Sequence, residues 1–219
     1  MTFERDGAQL FPAAAVSVLG EIEAALAHVS AGRAGLRLSG QTALQPILEA
    51  AGPVGAVAAS RLGRDARPVR AILFDKNPEV NWGLGWHQDR VICVRNRVET
   101  EGFGPWTIKD GLLHVAPPVA LLAAMVTLRL HLDDVPVTNA PLLVAPGSHR
   151  GGRVPEIEID RVVEGCGIRA CTAGRGDIWL YATLILHASE PAKLPGRRRV
   201  LQIDYAAQDL PGELEWLGV

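Results

Sequence analysis

Cysteine is scarce in this chain and has no pairing pattern: Cys93, Cys166 and Cys171 are all there is, with no Cys-x-x-Cys among them. Three thiols at such spacing give no disulfide framework, and Cys166 and Cys171 lack nearby histidines for a zinc site. They read as reduced thiols. An excess of either charge is also missing. Lys and Arg number 22 against 24 Asp and Glu, a formal net charge of −2. Nothing electrostatic therefore points to nucleic acid or to an anionic membrane as partner. Long apolar runs are absent too. The most apolar stretch, Pro117 to Met125, is far below the roughly 20 residues that a membrane-crossing helix needs. The N-terminal run MTFERDGAQLF carries acids and no apolar signal-type segment. No internal repeat or low-complexity segment is visible. The expectation is a cytoplasmic protein with a small-molecule partner, and its oligomeric state is not legible.

What is present is enough for a core: 219 residues, 48% hydrophobic and 21% charged. One domain over 1–219 is expected, with a helical part at 1–65 and a strand-rich part at 69–206. Residues 12–61 are rich in Ala, Leu and Glu. Pro12 opens a predicted helix in which Val16, Leu19, Ile22, Ala25, Leu26 and Val29 form one stripe, ended by Ala31-Gly32. A second helix is predicted from about Thr42 to Ala51, with Pro46 in its first turn, and a helical turn near Val57–Leu62. From Val69 onward the texture is strand and turn. Strands are predicted at Val69–Phe74, Trp86–Val94, Thr127–Asp133, Leu142–Ala145, Gly167–Thr172, Asp177–Tyr181 and Val200–Tyr205. Many short strands between turn signals indicate a sandwich or barrel of the jelly-roll type, with the helices packed outside. Residues 95–118 read as a long surface excursion, which in compact domains is usually functional.

The run Thr127-Leu128-Arg129-Leu130-His131-Leu132-Asp133 alternates polar and leucine. Either the polar face meets water, or it faces a barrel mouth where polar groups orient a ligand. Periodicity alone supports both.

The residues that carry chemistry begin with Gly85-Trp86-His87-Gln88-Asp89. On a strand, His-x-Asp puts an imidazole and a carboxylate on one face. A second, distant histidine would complete the two-His, one-carboxylate triad that suits non-haem Fe(II). Six histidines compete for that place. His28 ends a helix and His114 lies in the long excursion, while His131 fits a structural role in its strand. His149, in the turn Pro146-Gly147-Ser148-His149-Arg150, fixes that turn or faces the site. His187 follows a strand-like run and could equally be a satisfied core histidine. Arg197-Arg198-Arg199 then leads into the last strand. An arginine entering a barrel strand can grip a carboxylate bidentately, as the far end of a dicarboxylic co-substrate requires. For two of the three arginines a solvated rim is the simpler account.

In order, Trp86-His87-Gln88-Asp89, Asn139, Pro146-Gly147-Ser148-His149, Gly176-Asp177, His187, Ser189 and Arg198 resemble the phytanoyl-CoA dioxygenase family. The resemblance covers roughly residues 69–206. It implies a double-stranded β-helix of the cupin-like jelly-roll kind, and an oxygenase that uses Fe(II) with 2-oxoglutarate as co-substrate. It also implies His87, Asp89 and His187 as iron ligands, and Arg198 and Ser189, eleven and two positions after the distal histidine, as co-substrate residues. Arg129 falls where relatives have a co-substrate contact. Lys76 resembles a position near the site, and Trp106 and His149 are further substrate-binding candidates. Asp89 speaks for hydroxylation, because related halogenases carry a small residue there. The chain departs from its relatives in having Asn139-Ala140 where they carry Asn-Gly. Two alternatives stand beside this reading: a cupin-like metal-binding protein without oxygenase activity, and a cupin-type metalloenzyme that does not use 2-oxoglutarate.

Overall fold

The computed structural model describes residues 1–29, 35–194 and 196–219. Its α-helices are α1 (Phe3–Asp6), α2 (Leu19–Leu26), α3 (Gln45–Leu48), α4 (Gly55–Leu62), α5 (Val119–Ala123) and α6 (Ile159–Cys166). Its strands are β1 (Ala8–Phe11), β2 (Leu36–Leu38), β3 (Arg67–Lys76), β4 (Leu84–His87), β5 (Ile92–Cys93), β6 (Trp106–Lys109) and β7 (Leu112–Val115). They continue as β8 (Val126–His131), β9 (Leu142–Val144), β10 (Arg169–Cys171), β11 (Ile178–Ala182), β12 (His187–Ser189) and β13 (Arg198–Ala206).

Six strands form a large antiparallel sheet in the order β1-β11-β8-β13-β3-β2. Four form a smaller one in the order β10-β9-β12-β4. The two sheets make the expected jelly roll, with a third sheet, β5-β7-β6, at one side. No helix among the described residues is long and apolar enough to cross a membrane.

The alternating strand resolves into two buried faces. All six residues of β8 are buried. Leu128 and Leu130 join Leu201, Ile203 and Tyr205 of β13 against Leu19, Ile22 and Leu26 of α2 and Ala58 of α4. The opposite face carries Arg129 of β8, Arg198 and Gln202 of β13, and Arg70, Ile72, Phe74 and Lys76 of β3, all lining one cavity. The large sheet therefore uses leucines to hold the helices and polar side chains to build the interior.

Several expected elements differ in extent. The helix expected from Pro12 starts later: Ala13 has φ 56°, a 3-10 turn covers Val16–Val18, and α2 spans Leu19–Leu26. Its expected end at Ala31-Gly32 lies outside the described residues. Thr42–Ala51 is a 3-10 turn, Thr42–Leu44, followed by the short α3, with Pro46 in its first turn. The expected strand Trp86–Val94 divides into β4 and β5, so Asp89 lies beyond the end of β4. Residues 95–118 include the hairpin β6–β7, which pairs with β5. Strands β1 and β2 and helices α5 and α6 lie where no element was expected. In α6, Ile159 and Val163 provide one buried turn-to-turn pair, and Gly167 at φ 73° follows its end.

The Asn139-Ala140 departure has a backbone consequence. Ala140 sits at φ 50°, in the left-handed region that glycine enters without a Cβ clash. Its carbonyl accepts a hydrogen bond from Nη1 of Arg198, so this turn is tied to the cavity floor. Ala140→Gly is expected to raise stability by about 0.5–1 kcal/mol, the left-handed penalty less the extra chain entropy of glycine. Denaturant titration checks it: a higher midpoint at unchanged slope is expected, and a lower midpoint contradicts it.

Candidate metal centre

The antiparallel pairing of β4 with β12 places His87 directly opposite His187. Cross-strand partners share a face, and the two rings lie 4.2 Å apart between centroids at 56°. Each ring is oriented by its own backbone. Nδ1 of His87 lies 2.8 Å from the carbonyl of Gly85, and Nδ1 of His187 lies 3.0 Å from that of Ile185. A carbonyl only accepts, so Nδ1 carries the proton in both rings, and Nε2 is the nitrogen left to face a metal. That is the tautomer a metal-binding histidine needs, with the second ring nitrogen held by a backbone oxygen. Burial, with His87 next, lowers the His187 pKa to about 4, which keeps its ring neutral.

Asp89 reaches the same cavity by another device. Gln88, between the two residues, is buried and spends its whole amide on the backbone. Its Nε2 donates to the carbonyls of Gly152 (2.8 Å) and Leu184 (2.6 Å), and its Oε1 accepts from the N–H of Val154 (2.9 Å). With Gln88 anchored inward, His87 and Asp89 line the cavity. The Asp89 carboxylate lies 3.5 Å from Nη2 of Arg70 and 3.5 Å from Nε2 of Gln202. Burial opposes its ionisation, but the charge of Arg70 holds it below the usual carboxylate range.

Behind Asp89 stands a buried polar network. Arg70 Nε donates to Asp204 at 2.5 Å, and Thr127 donates to the other Asp204 oxygen at 3.1 Å. Gln202 Oε1 accepts from Arg129 Nη1 (3.1 Å) and from the Tyr181 hydroxyl (3.3 Å). Burial alone would lower the Arg70 pKa, yet Asp204 and Asp89 raise it, so Arg70 stays charged.

At the other end of the inner face, Lys76 and Arg198 are register partners on β3 and β13. Lys76 Nζ donates to Ser189 Oγ at 3.1 Å and to the Glu190 carbonyl at 3.0 Å, and lies 4.8 Å over the ring of Trp82. Arg198 is 2% exposed and Arg129 5%. Among the described residues neither meets a carboxylate, and Nε of each is buried without a partner. Burial, then Arg129, lowers the Arg198 pKa to about 9. Burial, then Arg198 and Arg129, lowers that of Lys76 to about 7. Three buried cations without a counter-charge are costly unless an anion joins them.

One cavity of about 470 Å³ is lined by His87, Asp89, His187, Arg129, Lys76, Ser189 and Arg198, all seven named from the sequence. Trp106 and His149 are not among its lining residues. Trp106 packs under the third sheet with Arg97 over its ring. His149 lies against Gly7, where a Cβ would meet its ring, and 6.4 Å from the ring of Phe3. Of the three arginines, Arg199 pairs with Asp133 and Glu23, and Arg197 lies 3.8 Å from Asp75. Sequence reasoning missed Arg70, Gln202 and Asp204. The available signal was the alternation within β3 and β13, which sets polar residues two apart on one face.

The donor set suits a divalent iron: two imidazoles and one carboxylate. Among the described residues no three His, Cys, Asp or Glu side chains already bracket a single point. The histidine pair is the preformed part, and Asp89 stands beside it, held by Arg70 and Gln202.

A family model described as phytanoyl-CoA dioxygenase (PhyH) matches residues 30–200. Solved structures share the fold at low identity. EctD from S. alaskensis, with 2-oxoglutarate and 5-hydroxyectoine, is 21% identical at a TM-score of 0.67, over 99% of this chain and 77% of that one. AviO1 from Streptomyces viridochromogenes Tue57 is 18% identical at 0.65, over 96% and 94%. The epimerase SnoN, in complex with Fe3+, alpha ketoglutarate and nogalamycin RO, is 16% identical at 0.64, over 99% and 92%. No curated protein matches the chain.

The network makes its own prediction. Arg70→Met leaves Asp204 and Asp89 buried without their cation and is expected to destabilise by about 3–5 kcal/mol. Arg70→Met with Asp204→Asn is expected to recover part of that loss. Denaturant unfolding of both variants is the check; a double variant no more stable than the single one contradicts the pairing.

Proposed function

Because the chain belongs to the phytanoyl-CoA dioxygenase family, a family of Fe(II)- and 2-oxoglutarate-dependent oxygenases, we propose that His87, Asp89 and His187 hold its iron and that it hydroxylates a small molecule. The observation that carries the assignment is the pairing of His87 with His187, both Nε2 atoms free, in one cavity with Lys76, Arg129 and Arg198. Bound Fe(II) supplies the chemistry: O2 and 2-oxoglutarate become succinate and CO2, and one oxygen atom goes to a substrate C–H bond.

The residues of the chain bind, orient and exclude. Arg198 and Ser189 receive the far carboxylate of 2-oxoglutarate, and the planar guanidinium is suited to a bidentate grip. Arg129 adds positive charge between this end and the histidines. Lys76, bonded to Ser189 and beside Arg198, belongs with the co-substrate end rather than with the substrate. Gln202 and Arg70 keep the Asp89 carboxylate ionised and aimed. The apolar walls Ile72, Phe74 and Leu142 limit water around the reacting centre. Asp89 supports hydroxylation over halogenation, since its carboxylate fills the place a halide would need. The substrate side is a small molecule and O2, and the described chain acts as one domain.

Purified protein with Fe(II), O2 and 2-oxoglutarate is expected to form succinate. His87→Ala and Asp89→Ala are each expected to lower that rate at least about 100-fold. Turnover that survives either substitution contradicts the ligand assignment. A second test uses Lys76. Its ammonium releases a proton near pH 7 while the cavity is empty, and an arriving dianion favours the charged form. Binding of 2-oxoglutarate at pH 8 is therefore expected to take up protons, with less uptake at pH 6, where Lys76 is already charged. Calorimetry in two buffers of different ionisation enthalpy measures it, and proton uptake that is the same in Lys76→Met contradicts the role.

A further inference from the structure

The cavity holds more positive charge than iron and 2-oxoglutarate use. Among the described residues, seven cationic side chains line it, namely Arg37, Arg70, Lys76, Arg90, Lys109, Arg129 and Arg198, against one lining carboxylate, Asp89. Some of that charge is met locally: Asp204 and Asp89 face Arg70, Asp110 faces Arg37, and Glu156 faces Arg90. Lys76, Arg129, Arg198 and Lys109 enter no ion pair among the described residues. A dianionic 2-oxoglutarate balances the two charges of Fe(II), so a surplus of cations stays when both are bound.

Burial separates this surplus into two places. Lys76, Arg129 and Arg198 are buried at the inner end, whereas Lys109 is exposed and Arg37 and Arg90 are half-buried. The outer three come from different elements: β2, the loop after β4, and the hairpin β6–β7. Arg37 Nη1 pairs with Asp110 at 2.6 Å, which ties the end of the hairpin to β2 and sets Lys109 in the cavity wall. Among the described residues, Nε of Arg37 is buried and has no partner. The lining also includes the apolar Ile72, Phe74, Trp82 and Leu84; Ile72 is the register partner of Arg37, whereas Trp82 lies under Lys76 and Phe74 under Arg129.

We propose that the primary substrate is a small organic anion whose carboxylate or phosphate is received by Lys109 and Arg37 at the rim, while its apolar body extends past Ile72 toward the histidines. This rests on the reading that iron and 2-oxoglutarate fill the inner end. A cationic substrate would meet like charges at both ends, and a neutral one would leave Lys109 without an ion-pair partner. An anion satisfies the rim and presents its far C–H bonds to the metal side.

The test uses anaerobic protein carrying Fe(II) and 2-oxoglutarate, titrated with phenylacetate, phenyl phosphate, phenylacetamide and 2-phenylethylamine. Binding is read as a change in the visible charge-transfer band of the loaded protein. At least one of the two anions is expected to bind about tenfold or more tightly than the amide, and the amine least. The tighter anion tells carboxylate from phosphate recognition. Its affinity is expected to fall with added salt and to fall about tenfold or more in Lys109→Glu. Equal affinity for the amide, no binding of either anion, or an unchanged affinity in Lys109→Glu overturns the inference while the loaded protein still shows its band. If no band forms with Fe(II) and 2-oxoglutarate, the reading beneath it fails, and this inference falls with it.

Discussion

Arg70 is the interaction on which the rest of the site depends. It is buried within the inner face of the large sheet, 2.5 Å from Asp204 and 3.5 Å from Asp89. A guanidinium at that depth is tolerable only with counter-charge, and the counter-charge is shared with the metal side. The same contact that keeps Arg70 charged keeps the Asp89 carboxylate ionised beside the two imidazoles. Gln202 then joins Asp89 to Arg129 and Tyr181, so the carboxylate is oriented from two sides by strands β3 and β13.

The two ends of the inner face follow opposite rules. Around Arg70 and Asp204, charge is paired inside the protein and the structure is complete without a ligand. Around Lys76, Arg129 and Arg198, positive charge is buried and, among the described residues, no carboxylate meets it. That second arrangement makes sense as a receptor, in which the ligand supplies the missing charge. On the proposed assignment, the folded chain holds the metal-side carboxylate firmly and leaves the co-substrate end for an anion.

How much of this was legible in the sequence depends on which residue is asked about. His87, Asp89 and His187 could be named from composition, order and resemblance, but the physical reason given for the first pair was incomplete. Strand alternation does not carry Asp89, because β4 ends at His87; the anchored amide of Gln88 does. The register that sets His187 opposite His87 is a long-range pairing between β4 and β12, and no local pattern encodes it. Arg129 was visible as a polar position in an alternating strand, yet alternation could not say that both faces would be buried. Arg70, Gln202 and Asp204 stayed hidden for the same reason, since a polar residue in a strand reads first as solvent-facing. Trp106 and His149 illustrate the converse: attractive residue types, one opening β6 and one in a 3-10 turn, placed by packing away from the cavity. The Asn139-Ala140 departure was legible as a difference, and only the backbone showed that it puts an alanine at positive φ.

A crystal structure of the protein grown anaerobically with Fe(II) and 2-oxoglutarate tests the central claim most directly. The account predicts one metal ion bound by Nε2 of His87, Nε2 of His187 and a carboxylate oxygen of Asp89, with the far carboxylate of 2-oxoglutarate against Arg198 and Ser189. A metal bound through other side chains, or a co-substrate carboxylate turned away from Arg198, would contradict it.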